Sequence, residues 1–471
     1  MEKLSSKIIK KENRPIKIIQ FGEGNFLRAF QDYFIDILNS ETDFNGGIAV
    51  IKPREKGSLE KFYNQDLMYT VDLTSKDGEE LRTITSLSLA INPYEKYDEY
   101  IGLSKNPELK IAFSNTTESG IEFKEEAFSK LPTSFPGKVT AFLYERYKYF
   151  NGDKQKGISF FPSELIDNNG AELLKCINKY IDYWNLDLDF KNWVNSCCYF
   201  YNTLVDRIVS GFPKDKKDEI YEKLGFTDEL LVSGEKFGLW VIEAGEEVAS
   251  LFKLHEISLP IVITDDISKY KKRKVRILNG AHTSFTAFSY MLGYDYVKDA
   301  LNDELIYTYL VKLFKSEIVP ILTDVNDPMG FTEDVIKRFK NPYINHKLLD
   351  ICLNSFSKWE TRCLPSLLDY IKKYNELPKL LLFGLASIIT LYKNVDENDF
   401  SSFEGKKYLV QESKERLDFL RSTDDVLNIL GSKLFFKNDL TEIPNLKNVV
   451  SDYLNSIEKE GLKKTLWKIL K

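Results

Sequence analysis

Three side chains in the run Lys274-Val275-Arg276-Ile277-Leu278-Asn279-Gly280-Ala281-His282 offer a coherent chemistry: an amine, a carboxamide and an imidazole. An amine exchanges a proton, an amide N–H holds a developing oxyanion, and an imidazole binds a hydroxyl. Together they suit interconversion of a carbonyl and an alcohol without a metal. At about 100° per residue of α-helix, Lys274, His282 and Asn279 fall near about 0°, 80° and 140°, so one side of a helix can present all three. A lysine of ordinary pKa, about 10.4, is a sluggish base, so burial or the neighbouring cations Lys272 and Arg276 would have to lower it. The same residues also fit a charged helix start followed by a histidine satisfied in the core. The basic run Lys271 to Lys274 leads straight into this helix, which argues against a separate localisation signal.

A second constellation is the glycine turn Phe21-Gly22-Glu23-Gly24-Asn25-Phe26, placed after a β-rich run and before a helical one. That context brings backbone N–H groups and a helix N-terminus against a pyrophosphate. The position where a dinucleotide fingerprint wants a third small residue is Leu27, so a plain structural turn stands beside the binding reading. The next β-rich run ends in Lys52-Pro53-Arg54 and not in the acidic residue that meets an adenosine ribose. Lys52 and Arg54 suit a 2′-phosphate, as in NADP, or equally a solvated loop.

The elements that must position these groups divide the chain in two. Ile16 to Phe21, Gly47 to Ile51, Ile111 to Ser114, Ile158 to Phe161 and Leu259 to Thr264 read as strands alternating with helices, the pattern of a parallel sheet with crossovers. Asn25 to Asn39 places Phe26, Phe30, Phe34 and Leu38 four apart, the apolar stripe of one helix packed on that sheet. Beyond about residue 270, Asp299 to Val319, Asn345 to Phe356, Pro365 to Tyr374, Leu377 to Tyr392 and Val449 to Leu470 read as helices. The predicted fold class is α/β plus all-α. The predicted domains are 1–268, dinucleotide-binding, and 269–471, helical and substrate-binding.

Composition narrows the function classes. With 65 Lys plus Arg against 71 Asp plus Glu, the formal net charge of −6 supplies no footprint for nucleic acid. The longest apolar run, Leu380 to Tyr392, falls short of the roughly 20 residues of a membrane span and reads as a core helix. The first residues lack a secretory apolar stretch, so the expected location is the cytoplasm. Five cysteines without a Cys-x-x-Cys pair read as reduced, buried thiols, and His255, His282 and His346 lie too far apart for a metal motif.

Gly22-x-Gly24-x-Phe26-x-Arg28-Ala29 and Lys274-x4-Asn279-Gly280-x-His282 together resemble the polyol-specific long-chain dehydrogenases typified by mannitol dehydrogenase. The blocks Ile18 to Phe30, Ser114 to Glu118, Glu164 to Asp167, Thr203 to Val209 and Asn341 to Ile344 extend the likeness over nearly the whole chain. The resemblance implies a zinc-independent, NAD-dependent oxidoreductase with a Rossmann-type N-terminal domain and a mainly helical C-terminal one, interconverting D-tagaturonate and D-altronate. It implies Lys274 as general acid/base, Asn202 and Asn279 as oxyanion holders, and His282 and Lys358 on the substrate. It implies a cofactor set of Gly22, Glu23, Gly24, Asn25, Phe26, Arg28, Lys52, Ser114, Thr116 and Glu118. Asp350 falls where mannitol dehydrogenases carry a substrate-binding arginine, which turns expectation away from simple polyols. The carboxylate of a sugar acid would then meet Lys358, Arg362 or Arg207, although Arg207, next to Asp206, also fits an internal ion pair. The expected partner is a small sugar acid, with no nucleic acid and no membrane, and the oligomeric state open. Fructuronate reduction and mannitol oxidation share the core motifs, and a dinucleotide-binding sensor without turnover is the reading outside enzymes.

Overall fold

The computed structural model describes every residue except Thr117, Glu118, Asn394 and Asp424, and of Val426 the backbone alone. The chain forms two compact units, Met1–Ile267 and Ser268–Lys471.

The first unit is built on a six-stranded parallel sheet: β1 (Ile16–Phe21), β2 (Gly47–Ile51), β3 (Leu87–Ile91), β4 (Ile111–Ser114), β5 (Ser159–Pro162) and β6 (Tyr199–Phe200), ordered β3-β2-β1-β4-β5-β6. The order reverses between β1 and β4, and ligands of such sheets bind outside the strand ends at that switch point. Ile18, Ile48, Val50, Ile111, Phe113 and Phe161 enter one apolar cluster, while Ile19, Phe21, Ala49, Ile51, Ala112 and Phe160 enter another. Burial on both faces explains why these strands read as continuous apolar runs without alternation.

After the glycine turn come α1 (Asn25–Ala29) and α2 (Gln31–Glu41), broken at Phe30, where the single helix expected from the sequence kinks at φ −129°, ψ −83°. The aromatic stripe survives the break. Phe26 stacks on Phe30 and Phe30 meets Phe34 edge-on, both at 5.0 Å, and Trp240 lies against Phe30, Phe34, Phe113 and Phe252. Each fully buried ring contributes about 1.5–3 kcal/mol.

Two further sheets complete this unit: a four-stranded one from Tyr69–Ser75, Gly78–Ile84, Val209–Gly211 and Val232–Glu235, and a three-stranded one from Asn202–Asp206, Leu239–Glu243 and Ile261–Thr264. The predicted strand at Leu259 to Thr264 therefore exists but belongs to a different sheet from β1.

The second unit is mainly helical. Its first helix begins as Ser268–Arg273, passes through a π turn at Lys274–Asn279 and continues as α3 (Gly280–Met291). Every residue of α3 is buried, the signature of a helix surrounded by others. Against it pack α4 (Pro328–Phe339), α5 (Leu348–Ile351), α6 (Ser355–Arg362) and, beyond α7 (Leu364–Tyr374), α8 (Lys379–Tyr392). The apolar run of α8 is buried from Leu380 to Tyr392. Gly384 lets α8 cross α3 closely, because a Cβ there would stand 2.8 Å from the Ser284 carbonyl oxygen. The Glu317 carboxylate accepts from the backbone N–H groups of Leu380 and Leu381 at 2.8 and 2.9 Å, closing the α8 N-terminus.

One element escaped the all-helical expectation: the hairpin Phe400–Phe403 with Lys406–Leu409, turned by Glu404 and Gly405 at φ 47° and 83°. The C-terminal stretch read as one helix is two, Leu446–Glu460 and Leu462–Leu470, parted at Gly461 with φ 82°. All five cysteines are free and buried. No helix among the described residues is long and apolar enough to cross a membrane.

Candidate functional site

In the first unit the candidate site lies at the carboxyl ends of β1, β2, β4 and β5. Gly22 leaves β1 at φ 132°, a conformation rare for a residue with a Cβ, and its N–H donates to the Ile51 carbonyl at 3.0 Å. A Cβ on Gly22 would meet the Leu27 side chain at 2.8 Å and the Asn115 carbonyl at 3.3 Å, whereas one on Gly24 would meet nothing within 4 Å. Leu27, which replaces the expected third small residue, thus closes the turn from below. Gly24 and Asn25 are exposed, and Glu23 and Phe26 half-buried.

Two members of the expected cofactor set are placed differently from that expectation. Arg28 is buried: it donates to the Leu230 carbonyl and, at 2.6 Å, to the Asn25 side chain, and it lies over the Tyr69 ring at 5.2 Å. It holds the turn from beneath. The Lys52 ammonium is buried too and donates to the carbonyls of Arg54 and Lys56, so it organises its own loop and does not reach outward to a phosphate. Glu118 lies outside the described residues.

Ser114 and Thr116 converge on a residue the sequence did not single out. The buried Glu164 carboxylate accepts from the Ser114 hydroxyl, the Thr116 N–H and the Thr116 hydroxyl, each at 2.9 Å. Burial raises the Glu164 pKa, while these bonds pull it back. A buried acid beyond a strand end has no periodic signature, which is why only its place in the block Glu164 to Asp167 pointed to it.

Behind the turn, Tyr69 donates to Asp32 at 2.7 Å, and burial pushes the Asp32 carboxyl up to about 7, opposed by hydrogen bonds from Tyr69 and Gln20. Unfolded, this group titrates near 3.8. A native pKa above the unfolded one gives stability that is whole below about pH 4 and lost as the pH rises through about 7. Asp32→Asn keeps an acceptor for Tyr69 and cannot ionise. Its Tm, read by differential scanning fluorimetry, is expected to exceed that of the wild type at about pH 8.5, with the gap shrinking as the pH falls below about 7 and closing near about pH 4. A gap independent of pH would contradict the assignment.

Asn202 and Arg207, both on the first unit, have structural partners. The Asn202 amide donates to Glu243 at 2.6 Å and accepts from the Ala171 N–H at 3.1 Å. Arg207 is buried, donates to the carbonyls of Phe237, Ala29 and Lys236, and lies over the rings of Phe30, Tyr33 and Phe34. Its guanidinium fastens the end of α1 to the 236–237 loop, which corrects the expectation that it meets a substrate carboxylate.

In the second unit the π turn decides the geometry. Its i→i+5 pattern brings residues five apart onto one face, so Lys274 and Asn279 lie closer together around the helix than the about 140° of an ordinary α-helix. The two expected electrostatic neighbours of Lys274 are engaged elsewhere: Lys272 pairs with Asp324 at 2.8 Å, and Arg276 with Asp369 at 2.9 Å and the Ser366 hydroxyl at 2.8 Å.

His282 follows on α3, buried, with Nε2 lacking a hydrogen-bond partner. Its ring stacks on Phe339 at 4.2 Å and meets His346 edge-on at 5.2 Å. Burial, then His346, Arg362, Arg338 and Lys358, hold its pKa well below the ordinary imidazole range, so it is neutral. Lys358 and Arg362 stand four apart on α6 and share a face. Lys358 donates to the Ile351 carbonyl at 2.8 Å, and Arg362 reaches the Thr283 hydroxyl at 3.5 Å. Among the described residues, no group of three or more His, Cys, Asp or Glu is placed to hold a metal ion.

Residues 16–256 match the mannitol dehydrogenase Rossmann domain, and residues 266–458 the mannitol dehydrogenase C-terminal domain. The chain is 41% identical to an altronate oxidoreductase of Phocaeicola vulgatus, covering 100% of both, and 39% identical to an altronate oxidoreductase of Bacillus subtilis, covering 96% of this chain and 95% of that one. The structure of Pseudomonas fluorescens mannitol 2-dehydrogenase in ternary complex with NAD and D-mannitol superposes with a TM-score of 0.76 at 21% identity, covering 100% of this chain and 99% of the other. The expected α/β plus helical fold is the fold found, and the chain belongs to the mannitol dehydrogenase family.

Proposed function

We propose that the protein interconverts D-tagaturonate and D-altronate with NAD as hydride carrier and Lys274 as the group that moves the proton. The observation that supports this reading is the π turn running from Lys274 to Asn279, in a chain alignable end to end with altronate oxidoreductases. The first unit fits a dinucleotide, because the open space at Gly24 leaves its backbone accessible to a pyrophosphate. Gly22, Glu23, Gly24, Asn25 and Phe26 would hold it, with Ser114 and Thr116 at the end of β4. The inward Lys52 ammonium favours NAD over its 2′-phosphorylated form. When bound, the nicotinamide supplies hydride to the ketone or takes it from the alcohol.

On the protein's side, the Asn279 amide N–H donates to the ketone oxygen as negative charge gathers there. Lys274 delivers a proton to that oxygen in reduction and removes it in oxidation. Neutral His282 binds a substrate hydroxyl through its unpartnered Nε2. Lys358 and Arg362 supply positive charge for the carboxylate.

Gly24→Val tests the cofactor half. With φ −69° and no neighbour within 4 Å, the substitution is expected to leave Tm within about two degrees while weakening NADH at least about tenfold, because the backbone can no longer approach a phosphate. Unchanged NADH affinity would remove this turn from the cofactor site. The reaction itself is tested by supplying NAD with D-altronate, D-mannonate or D-mannitol and following NADH, with a chelator present. Fastest turnover of altronate supports the reading; turnover of mannitol alone would replace the substrate, and NADH binding without turnover of any of them would favour a sensor.

A further inference from the structure

Glu164 stands just beyond β5, beside the switch point of the sheet, and its backbone is fixed from both sides. The Ser163 N–H donates to the Ser114 carbonyl at 2.8 Å, and the Ser163 hydroxyl accepts from the Gln31 amide. The Asn169 amide donates to the Glu164 carbonyl at 3.1 Å and to the Pro162 carbonyl at 3.0 Å. The end of β4, which Glu164 faces, is in turn tied to the glycine turn, because the Asn115 N–H donates to the Phe21 carbonyl at 3.2 Å.

The three hydrogen bonds of the Glu164 carboxylate decide what the end of β4 can offer a ligand. The hydroxyls of Ser114 and Thr116 and the Thr116 N–H all donate to it at 2.9 Å. Converging donors favour its ionised form against the cost of burial. They are neutral groups, so they disperse its charge without cancelling it. A hydroxyl has one proton to give, so the half-buried Thr116 hydroxyl has only lone pairs left for a ligand. The end of β4 therefore accepts and does not donate, with a negative charge behind it. A phosphate, which offers only acceptors and negative charge, is repelled from such a place, whereas an N–H or O–H donor or a positive ring is drawn to it.

On a sheet of this kind the pyrophosphate of a dinucleotide meets the turn after β1 and the adenosine ribose meets the end of β2, which leaves the other half for β4 and β5. That half of NAD carries a carboxamide N–H, ribose hydroxyls and, in the oxidised form, a positive ring. We propose that Glu164 is a positioning residue for the cofactor: acting through the Thr116 hydroxyl, it makes the end of β4 an acceptor for the nicotinamide riboside half of NAD and strengthens binding of the oxidised form over the reduced one. This rests on the NAD reading above, and it gives a role to a residue outside both family motifs.

The test is calorimetric titration of the full chain with NAD, NADH and ADP, the last lacking the nicotinamide riboside. In Glu164→Gln the side-chain carbonyl still accepts from Thr116 and the amide donates to Ser114, so the loop keeps its hydrogen bonds and loses the charge. NAD is expected to weaken at least about fivefold, with NADH and ADP within about twofold. Thr116→Val keeps the charge and the backbone hydrogen bond but removes the acceptor. It is expected to weaken NAD and NADH at least about threefold and to leave ADP within about twofold, and it tests the placement alone should Glu164→Gln fold poorly. A residue that merely latched the loop would, when replaced, weaken all three ligands together. That result, or NAD and NADH unmoved by both substitutions, would overturn the proposal. The wild type separates the two readings. If it binds neither NAD nor NADH, the cofactor assignment itself fails; if it binds both and their ratio is unaltered in Glu164→Gln, the cofactor stands and Glu164 loses this role.

Discussion

Lys274→Ala is expected to lower kcat for tagaturonate reduction by about a hundredfold to ten-thousandfold while NADH affinity stays within about twofold. The reasoning is local. Lys274 opens the π turn, half-buried, and the lost function is a proton transfer, not a hold on the cofactor. Lys274→Arg keeps the positive charge but not a readily exchanged proton, so its kcat should fall nearly as far. A small primary amine added to Lys274→Ala should restore part of the rate, since it supplies the missing proton carrier. Steady-state kinetics and quenching of protein fluorescence by NADH read the two quantities separately. Equal losses of turnover and NADH binding, with no rescue by amine, would make Lys274 a structural residue.

Arg207→Met is expected to lower Tm by about ten degrees and to leave KM for the sugar acid within about twofold at temperatures where the variant is folded. The guanidinium donates to three backbone carbonyls and covers three aromatic rings, and burial lowers its pKa to about 10. Methionine fills part of the volume but leaves those carbonyls without donors, a loss of about 3–5 kcal/mol. Were Arg207 instead a carboxylate anchor, KM would rise at least about tenfold with Tm nearly intact. Thermal melts and kinetics on one variant therefore distinguish the two roles.

Arg207 also illustrates what the sequence conceals. A basic residue in a dense block reads alike whether it faces a ligand or three carbonyls from distant segments, because the partners Ala29, Lys236 and Phe237 are not encoded in its spacing. Arg28 and Lys52 went the same way: their charges pointed outward in the reading and inward in the structure. The parallel strands were legible because burial on both faces makes unbroken apolar runs, and α8 because nothing but a core helix accommodates Leu380 to Tyr392.

Boundaries were less legible where a backbone irregularity intervened. Phe30 breaks a helix without glycine or proline, and the π turn at Lys274–Asn279 carries no residue signature. That turn matters most, since it moves Asn279 toward Lys274 around the helix. The hairpin at 400–409 was missed although Glu404-Gly405 supplies a turn with two positive φ angles, because each flanking run is only four residues long. Glu164 and His346 lay beyond spacing arguments altogether, each made meaningful by residues far away in the chain.

The measurement that tests the central claim most directly is kcat/KM for NADH-dependent reduction of D-tagaturonate, D-fructuronate and D-fructose by the purified protein, side by side. The account predicts that tagaturonate is preferred over fructuronate by at least about tenfold and over uncharged fructose by at least about a hundredfold, in keeping with a charge-reading site. Fructose reduced as well as, or better than, tagaturonate would contradict it.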